Sequence, residues 1–439
     1  MFNFLACAKI SGKILECRNV PLLGTVKVDS KSKILVSTLR RVIGFKSISV
    51  LWISPTTVDV FLHAQSLLDI LRHFENLGNN VTLIAPRSRD ASLFKISRVS
   101  MIFIPLRFVP FVSSIMFTVI SFLFMPIFMI ISKPDYVILV PEVSILSSIS
   151  GLIISKFRKV KFILDIRTTP VEAVGFRGFL HRFWFSVSVL IAKKLFTGIT
   201  IITPLMKNEI CSVFNVNPRK VGVWTSAVAD SLFNPETSAS EGEKLKEKFG
   251  LKGKFVVFYH GIFAATRGLT ETIEAVKILK QKNLDVVFFL LGSGPLLAML
   301  KVSIQKEGLQ NNVIIHNPVK QLDVPKFIGF SDVGIVPLPN HPYWRFQSPL
   351  KLLEYLSMEK VVVVTDIPAH RLIADNAKCA IYISSINPTE IAKAIEYAYH
   401  NKNKLAEWGK IGRTLIKQKY TWPKVAADLE NYLLSINDK

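Results

Sequence analysis

The residues best placed for chemistry lie in the stretch FQSPLKLLEYL, residues 346–356. Ser348 and Pro349 predict a helix start, because a serine oxygen caps free backbone N–H groups and proline suits the first helical position. Lys351 then falls in the first turn, where the helix dipole disfavours a cation. An anion bound between the ammonium and the N–H groups would reverse that preference. The pattern therefore predicts a phosphate site.

A second cation follows an earlier predicted strand, VVFYHG, which ends at Gly261. Arg267 and Gly268 come shortly after it, just before a predicted helix. Glycines allow close backbone approach, and an arginine near a helix N-terminus is well placed for a phosphate. We expect Arg267 and Lys351 to flank one diphosphate, with Glu354 accepting hydrogen bonds from ribose hydroxyls. Periodicity alone equally allows Lys351 and Glu354 to be solvated surface side chains.

Other polar residues sit at predicted strand or loop ends. Asp165 and Arg167 end a strand, where they either orient an acceptor hydroxyl or form a structural ion pair. His63, after the first strand, either reaches the cleft or is structural. His260 ends a strand and is expected to line the site. On a later loop, His341 and Trp344 either touch a ligand or pack internally. The sequence shows no GxSxG motif, Cys/His dyad or close carboxylate pair suited to hydrolysis.

The framework for these residues is an alternation of buried strand runs and amphipathic helices from residue 46 onward. This pattern predicts doubly wound parallel sheets, with ligands outside the carboxyl ends of the strands. A polar, turn-rich segment interrupts the alternation, and a second α/β series follows it. The predicted parts are a basic extension 1–45, an N-terminal Rossmann-like domain 46–232, a linker 233–253, a C-terminal Rossmann-like domain 254–418 and a last helix within 419–439.

The composition indicates an anionic partner. The formal net charge of the 439 residues is +23, and half of the residues are hydrophobic. A nucleic acid, a membrane surface or phosphorylated substrates would each fit such a charge. Nucleic-acid binding is the weaker interpretation, because no basic stripe interleaved with aromatic residues and no known nucleic-acid motif is present. The four cysteines are scattered without metal-ligand spacing, which indicates a reducing compartment and no metal site.

The segment 108–132 carries no charge and is long enough for a transmembrane helix. If strands 101–106 and 135–140 share one parallel sheet, the segment starts and ends on the same side of any membrane. It is then either a buried helix hairpin, interrupted at Pro110 and Pro126, or a monotopic anchor dipping into one leaflet. The basic residues around it favour the anchor at the cytoplasmic face of the cell membrane. These are Arg87, Arg89, Lys95, Arg98, Arg107, Lys156, Arg158, Lys159 and Lys161.

Four blocks, YHGIFAATRGLTETIEAVKIL, FLLGSGP, FSDVGIVPLP and SPLKLLEYLSMEKVVVVTD, resemble in type and order the donor-domain blocks of the retaining glycosyltransferases of family 4. The resemblance implies a GT-B fold, in which two Rossmann-like domains face a cleft and the last helix returns to the N-terminal domain. It implies metal-independent transfer of a sugar from a nucleotide diphosphate to a lipid-linked or cell-surface glycan acceptor. No cofactor is implied, since the nucleotide-sugar is a substrate.

The resemblance also implies roles for residues. Arg267 and Lys351 would stabilise the diphosphate leaving group in place of a metal. Glu354 matches the second glutamate of the E-x7-E element, and Phe346 takes the place of the first. Arg167 falls where many members have a histidine near the donor sugar. The other implied donor contacts are Gly261, Gly268, Gly292, Asn317, Val319, Ser348, Pro349 and Leu350. Phe346 leaves a second interpretation open, an inactive GT-B scaffold.

Overall fold

The computed structural model describes residues 47–55, 65–86, 99–104, 112–170, 175–374 and 377–436. His63, the extension 1–45 and the basic residues 87–98 and 107 lie outside them. Two parallel sheets are present. The first, in the order β3-β2-β1-β4-β5-β6-β7, contains β1 (Ser49–Ile53), β2 (Asn80–Pro86), β3 (Ser100–Ile104), β4 (Tyr136–Leu139), β5 (Lys161–Ile166), β6 (Gly198–Ile201) and β7 (Val221–Val223). The second, in the order β10-β9-β8-β11-β12-β13, contains β8 (Phe255–Ile262), β9 (Val286–Ser293), β10 (Val313–His316), β11 (Val333–Val336), β12 (Val361–Thr365) and β13 (Ala380–Ile383).

Helices cover both faces of each sheet, and each sheet with its helices is called a lobe below. The N-terminal lobe has α1 (Gln65–Asn76), α2 (Val112–Ser132), α3 (Ser148–Arg158), α4 (Gly175–Leu195) and α5 (Pro204–Phe214). The chain continues with α6 (Pro235–Lys248), α7 (Leu269–Gln281), α8 (Leu297–Lys306), α9 (Val324–Phe330), α10 (Pro342–Arg345), α11 (Leu350–Ser357), α12 (Pro368–Ala374), α13 (Pro388–His400), α14 (Lys402–Lys419) and α15 (Trp422–Ser435). The predicted α/β class with two parallel sheets is confirmed.

The two faces of the first sheet carry separate cores. Val137 and Leu139 of β4 pack with side chains of α2, α4 and α5, whereas Tyr136 and Ile138 pack with α1 and α15. This alternation follows from the period of two along a strand. The helices that connect β3 through β7 therefore form one layer on one face of the sheet.

Helix α2 belongs to that layer. Within the described residues, it is the one helix long and apolar enough to cross a membrane, by length and composition only. Phe117, Met125 and Met129 are fully buried against the sheet. Pro126 lies inside a continuous helix, so the alternative of a helix hairpin interrupted at this residue is wrong. The Ser150 hydroxyl of α3 donates a hydrogen bond to the carbonyl of Phe122, over 2.6 Å. One stripe of α2 side chains is thus buried in the core of the N-terminal lobe.

The segment predicted as the linker 233–253 is instead mostly helical. Asn234 caps α6 by accepting a hydrogen bond from the Glu236 N–H, and Pro235 takes the first helical position. Gly242 lets α6 approach the backbone of α9 at Gly329. Phe233 and Leu251 on either side are buried in the core of the C-terminal lobe. The exposed side of this helix is polar, which is why the sequence pattern resembles a linker.

The last helix, α15, packs on the N-terminal lobe. Trp422, Val425 and Leu429 recur at helical spacing and are buried with α1. The Tyr432 hydroxyl donates to the carbonyl of Lys220, over 2.6 Å. The chain therefore crosses from the second sheet back to the first, and this crossing helps to fix the two lobes relative to each other.

Candidate active site

A cavity of about 640 Å³ lies between the lobes, beyond the carboxyl ends of strands from both sheets. Its walls combine tryptophans with charged side chains. The N-terminal lobe contributes Trp52, Ser54, Glu142, Asp165, Arg167, His181 and Trp224, and the C-terminal lobe contributes Tyr259, Arg267, Trp344, Gln347, Ser348, Pro349, Leu350 and Lys351. Seven residues predicted for the site thus line one space: Asp165, Arg167, Arg267, Ser348, Pro349, Leu350 and Lys351.

Helix α11 presents its N-terminus to this cavity. It begins at Leu350 with Pro349 as the N-cap residue, so the prediction of Ser348 as the cap and Pro349 as the first helical residue is wrong. Proline's fixed φ also suits the extended N-cap conformation, φ −70° and ψ 109°. The Ser348 hydroxyl is buried and has no hydrogen-bond partner among the described residues. A buried hydroxyl without a partner is costly, which suits a position that meets a polar ligand.

Lys351 lies against the end of β8. Its ammonium nitrogen stands 5.2 Å from the centroid of the Tyr259 ring. Gly261, at φ +120°, leaves room for it, because a Cβ there would lie 2.7 Å from Lys351 Cε and 2.9 Å from Nζ. Burial, and next the positive charge of Arg267, lowers the pKa of Lys351 to about 8. A nearby anion would restore the charged form.

Arg267 stands at the end of a short 3-10 helix, Ala265–Arg267, that follows β8. Its guanidinium carbon lies 4.2 Å from the centroid of the Trp344 ring, a cation–π contact that holds the plane of the group. The Nε atom is buried without a hydrogen-bond partner among the described residues. Gly268, at φ +63°, turns the chain into α7 beside the Pro337 carbonyl. Arg267 and Lys351 therefore form a paired cationic wall.

Glu354 lies one turn beyond Lys351 and is only 9 % exposed, so it is not a surface carboxylate. Its Oε2 is 3.1 Å from His260 Nε2, a close polar contact that lacks hydrogen-bond geometry. The backbone N–H of His260 donates a hydrogen bond to the hydroxyl of Tyr355, over 3.1 Å. Neither His260 nor Glu354 is among the cavity-lining residues. The predicted ribose contact stays a prediction.

Asp165 and Arg167 are both organised by Trp224. Asp165 is buried and accepts hydrogen bonds from Thr200 Oγ1 at 2.7 Å and Trp224 Nε1 at 2.9 Å. Arg167 donates to the Trp224 carbonyl at 2.6 Å, and its guanidinium carbon lies 3.4 Å from the centroid of the indole. Burial raises the pKa of Asp165 and lowers that of Arg167 to about 10. The two side chains thus share Trp224 as a hydrogen-bond partner, and the charge of each offsets part of the pKa shift that burial causes in the other.

The remaining predicted donor contacts lie outside the cavity wall. Gly292 is buried beside the Gly261 carbonyl, where a side chain would not fit. Asn317 is exposed and Val319 half-buried on the loop after β10. His341 is exposed and caps α10 by accepting from the Tyr343 N–H. The structure therefore brings the phosphate candidates together and leaves the candidates for the base apart from them.

Among the wall residues that sequence reasoning missed are Glu142, Trp224 and His181. Glu142 follows β4, and burial raises its pKa. Trp224 follows β7, and His181 lies on α4, where burial lowers its pKa. The rule that found Arg167, polar or aromatic residues just after a buried strand, would have found Glu142 and Trp224. His181 gave no such indication, since it sits within a long helix.

Phe346 joins the two lobes. Its ring packs on the core of the N-terminal lobe, and its carbonyl accepts a hydrogen bond from Thr203 Oγ1 at 2.6 Å. Gln347 Nε2 donates to Thr168 Oγ1 at 3.2 Å. The residue in the place of the first E-x7-E glutamate therefore has a structural contact of its own.

Within the described residues no group of three or more His, Cys, Asp or Glu side chains could hold a metal ion.

Residues 241–415 match the family described as "Glycosyl transferases group 1". The alpha-D-kanosaminyltransferase of Streptomyces kanamyceticus is 23% identical over 200 residues, which are 45% of this chain and 50% of that enzyme. This chain therefore spans about half the length of that relative.

Solved structures agree with the fold. Anabaena HepE, determined in complex with UDP, has a TM-score of 0.70 at 14% identity and covers 89% of this chain and 100% of its own. WaaG, a glycosyltransferase involved in lipopolysaccharide biosynthesis, has a TM-score of 0.66 at 14% identity and covers 87% of this chain and 99% of its own. The fold is thus that of GT-B glycosyltransferase structures.

Proposed function

We propose that this protein is a retaining, metal-independent glycosyltransferase of family 4 that takes a sugar from a nucleoside diphosphate. The observation that carries the proposal is the convergence of Arg267 and Lys351 in the interlobe cavity, beside the N-terminus of α11. Helix N-termini bind phosphate through free N–H groups, and two cations match the charge of a diphosphate. The HepE complex with UDP, on the same fold, agrees with a nucleotide in such a cleft.

The chemistry follows from the wall residues. As the bond between the sugar and the diphosphate breaks, negative charge grows on the leaving oxygen. Arg267 and Lys351, fixed by Trp344 and Gly261, stabilise that charge without reorganising. We propose that this pair replaces a metal, and that Glu354 holds the ribose from behind Lys351. The acceptor oxygen bonds to the anomeric carbon on the same face from which the diphosphate leaves, and its proton passes to the departing diphosphate. Attack on that face retains the anomeric configuration.

The acceptor belongs to the N-terminal lobe in this proposal. Arg167 and Asp165 face the donor side from the opposite wall, where they orient an acceptor hydroxyl. The exposed apolar part of α2 supports attachment to an anionic membrane at its cytoplasmic face. WaaG, which shares the fold, acts in lipopolysaccharide biosynthesis. A lipid-linked or cell-surface glycan acceptor is therefore proposed here.

The experiment is a panel of nucleotide-sugars screened by thermal stabilisation, followed by product analysis. The preferred donor raises the melting temperature by mass action, and the corresponding nucleoside diphosphate should do so as well. Proton NMR of the product then reads the anomeric configuration, and the reaction is repeated in EDTA. An inverted product disproves retention, and loss of transfer in EDTA, restored by a divalent cation, disproves metal independence.

One observation favours a second candidate, a GT-B scaffold without activity. Phe346 has taken the first E-x7-E position and packs on the other lobe. The two candidates differ in nucleotide binding. Calorimetry with UDP and GDP separates them, because a scaffold that has lost its donor site binds neither.

A further inference from the structure

Helix α4 lines the interlobe cavity with one face and exposes phenylalanine side chains on the opposite face. Phe185 is buried, and both Phe185 and His181 line the interlobe cavity. His181 itself is exposed, so what distinguishes this side of α4 is its place in the cavity wall. On the opposite side Phe176, Phe179 and Phe183 are 75%, 57% and 48% exposed. Spacings of three and four residues place these three rings on one stripe of the helix. One helix therefore connects the wall of the cavity with an apolar outer surface.

That outer surface continues across the layer. Helices α2, α3 and α4 pack on the same face of the first sheet, so their outer faces point the same way. Most of the exposed large hydrophobic side chains in the described residues lie on these helices, among them Leu123 at 61%, Ile131 at 72% and Phe157 at 84%. Patches this large mark an interaction surface rather than ordinary solvent-exposed protein. We call this the apolar layer, made of the outer faces of α2, α3 and α4.

Cations accompany the apolar layer. Lys156, Arg158 and Lys159 surround Phe157 at the end of α3, and all three are exposed. Arg177 and Lys194 are exposed near the two ends of α4. No acidic residue occurs within α2, α3 or α4. Apolar side chains with cations beside them suit the interface of an anionic bilayer, where each cation near the surface adds to binding.

The C-terminal lobe provides a contrast. Its exposed apolar side chains are few, such as Met299 and Val302 on α8. Helix α8 also carries Lys301 and Lys306. Scattered exposed apolar residues are normal on soluble proteins. The exposed apolar side chains are therefore concentrated on one face of the N-terminal lobe.

We infer that α4 sets the cavity at the surface of an anionic bilayer, so that a lipid-linked acceptor enters from the membrane past this helix. The phenylalanine stripe lies in the lipid interface, and the head group of the acceptor reaches the cavity along the side that carries His181 and Phe185. Helix α2 adds membrane affinity, but it contributes no residue to the cavity wall. The inference rests on the proposed function, because it names how the acceptor of that site is delivered.

The test uses the full chain with Phe179→Ser and Phe183→Ser together, and Met299→Ser with Val302→Ser as the matched control. Both pairs remove two exposed apolar side chains from one helix. Binding to vesicles of phosphatidylcholine with phosphatidylglycerol is measured by co-sedimentation. The α4 pair should weaken binding about tenfold, since two aromatic rings leave the interface, and the α8 pair should leave it unchanged. Vesicles of phosphatidylcholine alone should bind the wild type much less.

A charge variant and a nucleotide assay complete the design. Arg177→Glu with Lys194→Glu should weaken binding to anionic vesicles and leave the fold intact, so it replaces the phenylalanine pair if that pair is unstable. Calorimetry with UDP and GDP should be the same for all variants as for the wild type. Equal vesicle binding by the wild type and the α4 variants overturns the inference. Absence of nucleotide binding in the wild type overturns the proposed donor site instead, which keeps the two failures distinguishable.

Discussion

The backbone of Gly261 lies directly against the side chain of Lys351, so that a single methyl group added to the glycine would stand 2.7 Å from Cε of the lysine. Contacts of that length do not occur between carbon atoms, so the lysine would have to move. The position of the ammonium is therefore set by the end of β8 as well as by α11. This relationship gives a way to displace the charge without removing it.

Gly261→Ala should weaken binding of a nucleoside diphosphate about tenfold, or about 1.4 kcal/mol, because the displaced ammonium loses its contact with phosphate. The affinity for the free nucleoside should change little. Gly308→Ala is the control, since Gly308 also has a positive φ, +63°, but a Cβ there meets nothing within 4 Å. Isothermal calorimetry measures both ligands. A diphosphate affinity that falls equally in the two variants would show that backbone strain, not Lys351, is responsible.

The affinity for a diphosphate should depend on pH through Lys351. Burial, followed by the charge of Arg267, lowers its pKa to about 8. The diphosphate binds the ammonium form, so binding above that pH takes up a proton. Affinity should be constant below about pH 7 and fall by up to about tenfold per unit above the pKa. Calorimetry in buffers of different ionisation enthalpy measures the number of protons taken up when the diphosphate binds.

Lys351→Arg is the matched control for that profile, because a guanidinium stays charged over the whole range. Its affinity should be flat with pH between about 6.5 and 9.5. A sloping profile in this variant, equal to that of the wild type, would assign the titration to another group.

Substitution of Phe346 should lower the stability of the protein, because this residue joins the two lobes, and should leave the affinity for the nucleotide nearly unchanged. Phe346→Ser removes a half-buried ring from the core of the N-terminal lobe and should cost about 1–3 kcal/mol of unfolding free energy. Phe346→Leu, which keeps an apolar side chain, should cost less. Denaturant unfolding measures the stability, and calorimetry should show nearly unchanged UDP or GDP affinity. A large loss of nucleotide affinity with intact stability would place Phe346 in the donor site.

Arg167 should affect transfer more than donor binding. Its guanidinium is stacked on Trp224 in the lobe opposite Lys351. Arg167→Gln should lower the rate of transfer at least about tenfold, the loss expected for one charged hydrogen bond, with unchanged affinity for the nucleoside diphosphate. Arg219→Gln, an exposed position in the same lobe, is the control. If the variant at Arg167 loses nucleotide affinity in proportion to its rate, the residue belongs to the donor site.

Much of the architecture could be predicted from the sequence, because strand and helix periodicities are local. The runs VVFYHG and KVVVVTD are buried strands as predicted, and the alternation of elements gave the two parallel sheets. Local pattern failed where a polar surface helix resembles a connecting segment. The segment 233–253 is predicted as a linker, yet 235–248 form a helix whose small residues Ser238 and Gly242 pack on α9.

Some features of the candidate site could also be predicted from local sequence, and others could not. Arg267 and Lys351 were found by position, each near a strand end and a helix start, and those features can be identified along the chain. Ser348 was assigned as the cap because the residue types favour it, but the real N-cap is Pro349. A hydroxyl caps a helix only if the chain brings it to the first turn, and that depends on the loop packing around Trp344.

What the sequence by itself determined is the set of elements and the chemistry available at their ends, since periodicity and residue type act over a few neighbours. Only the tertiary structure decided which of those ends meet. The placement of Trp224 between Asp165 and Arg167, of Phe346 on the opposite lobe and of His181 on the cavity side of α4 depends on contacts between residues far apart in the chain. Such contacts follow from the packing of whole lobes, which no local pattern encodes.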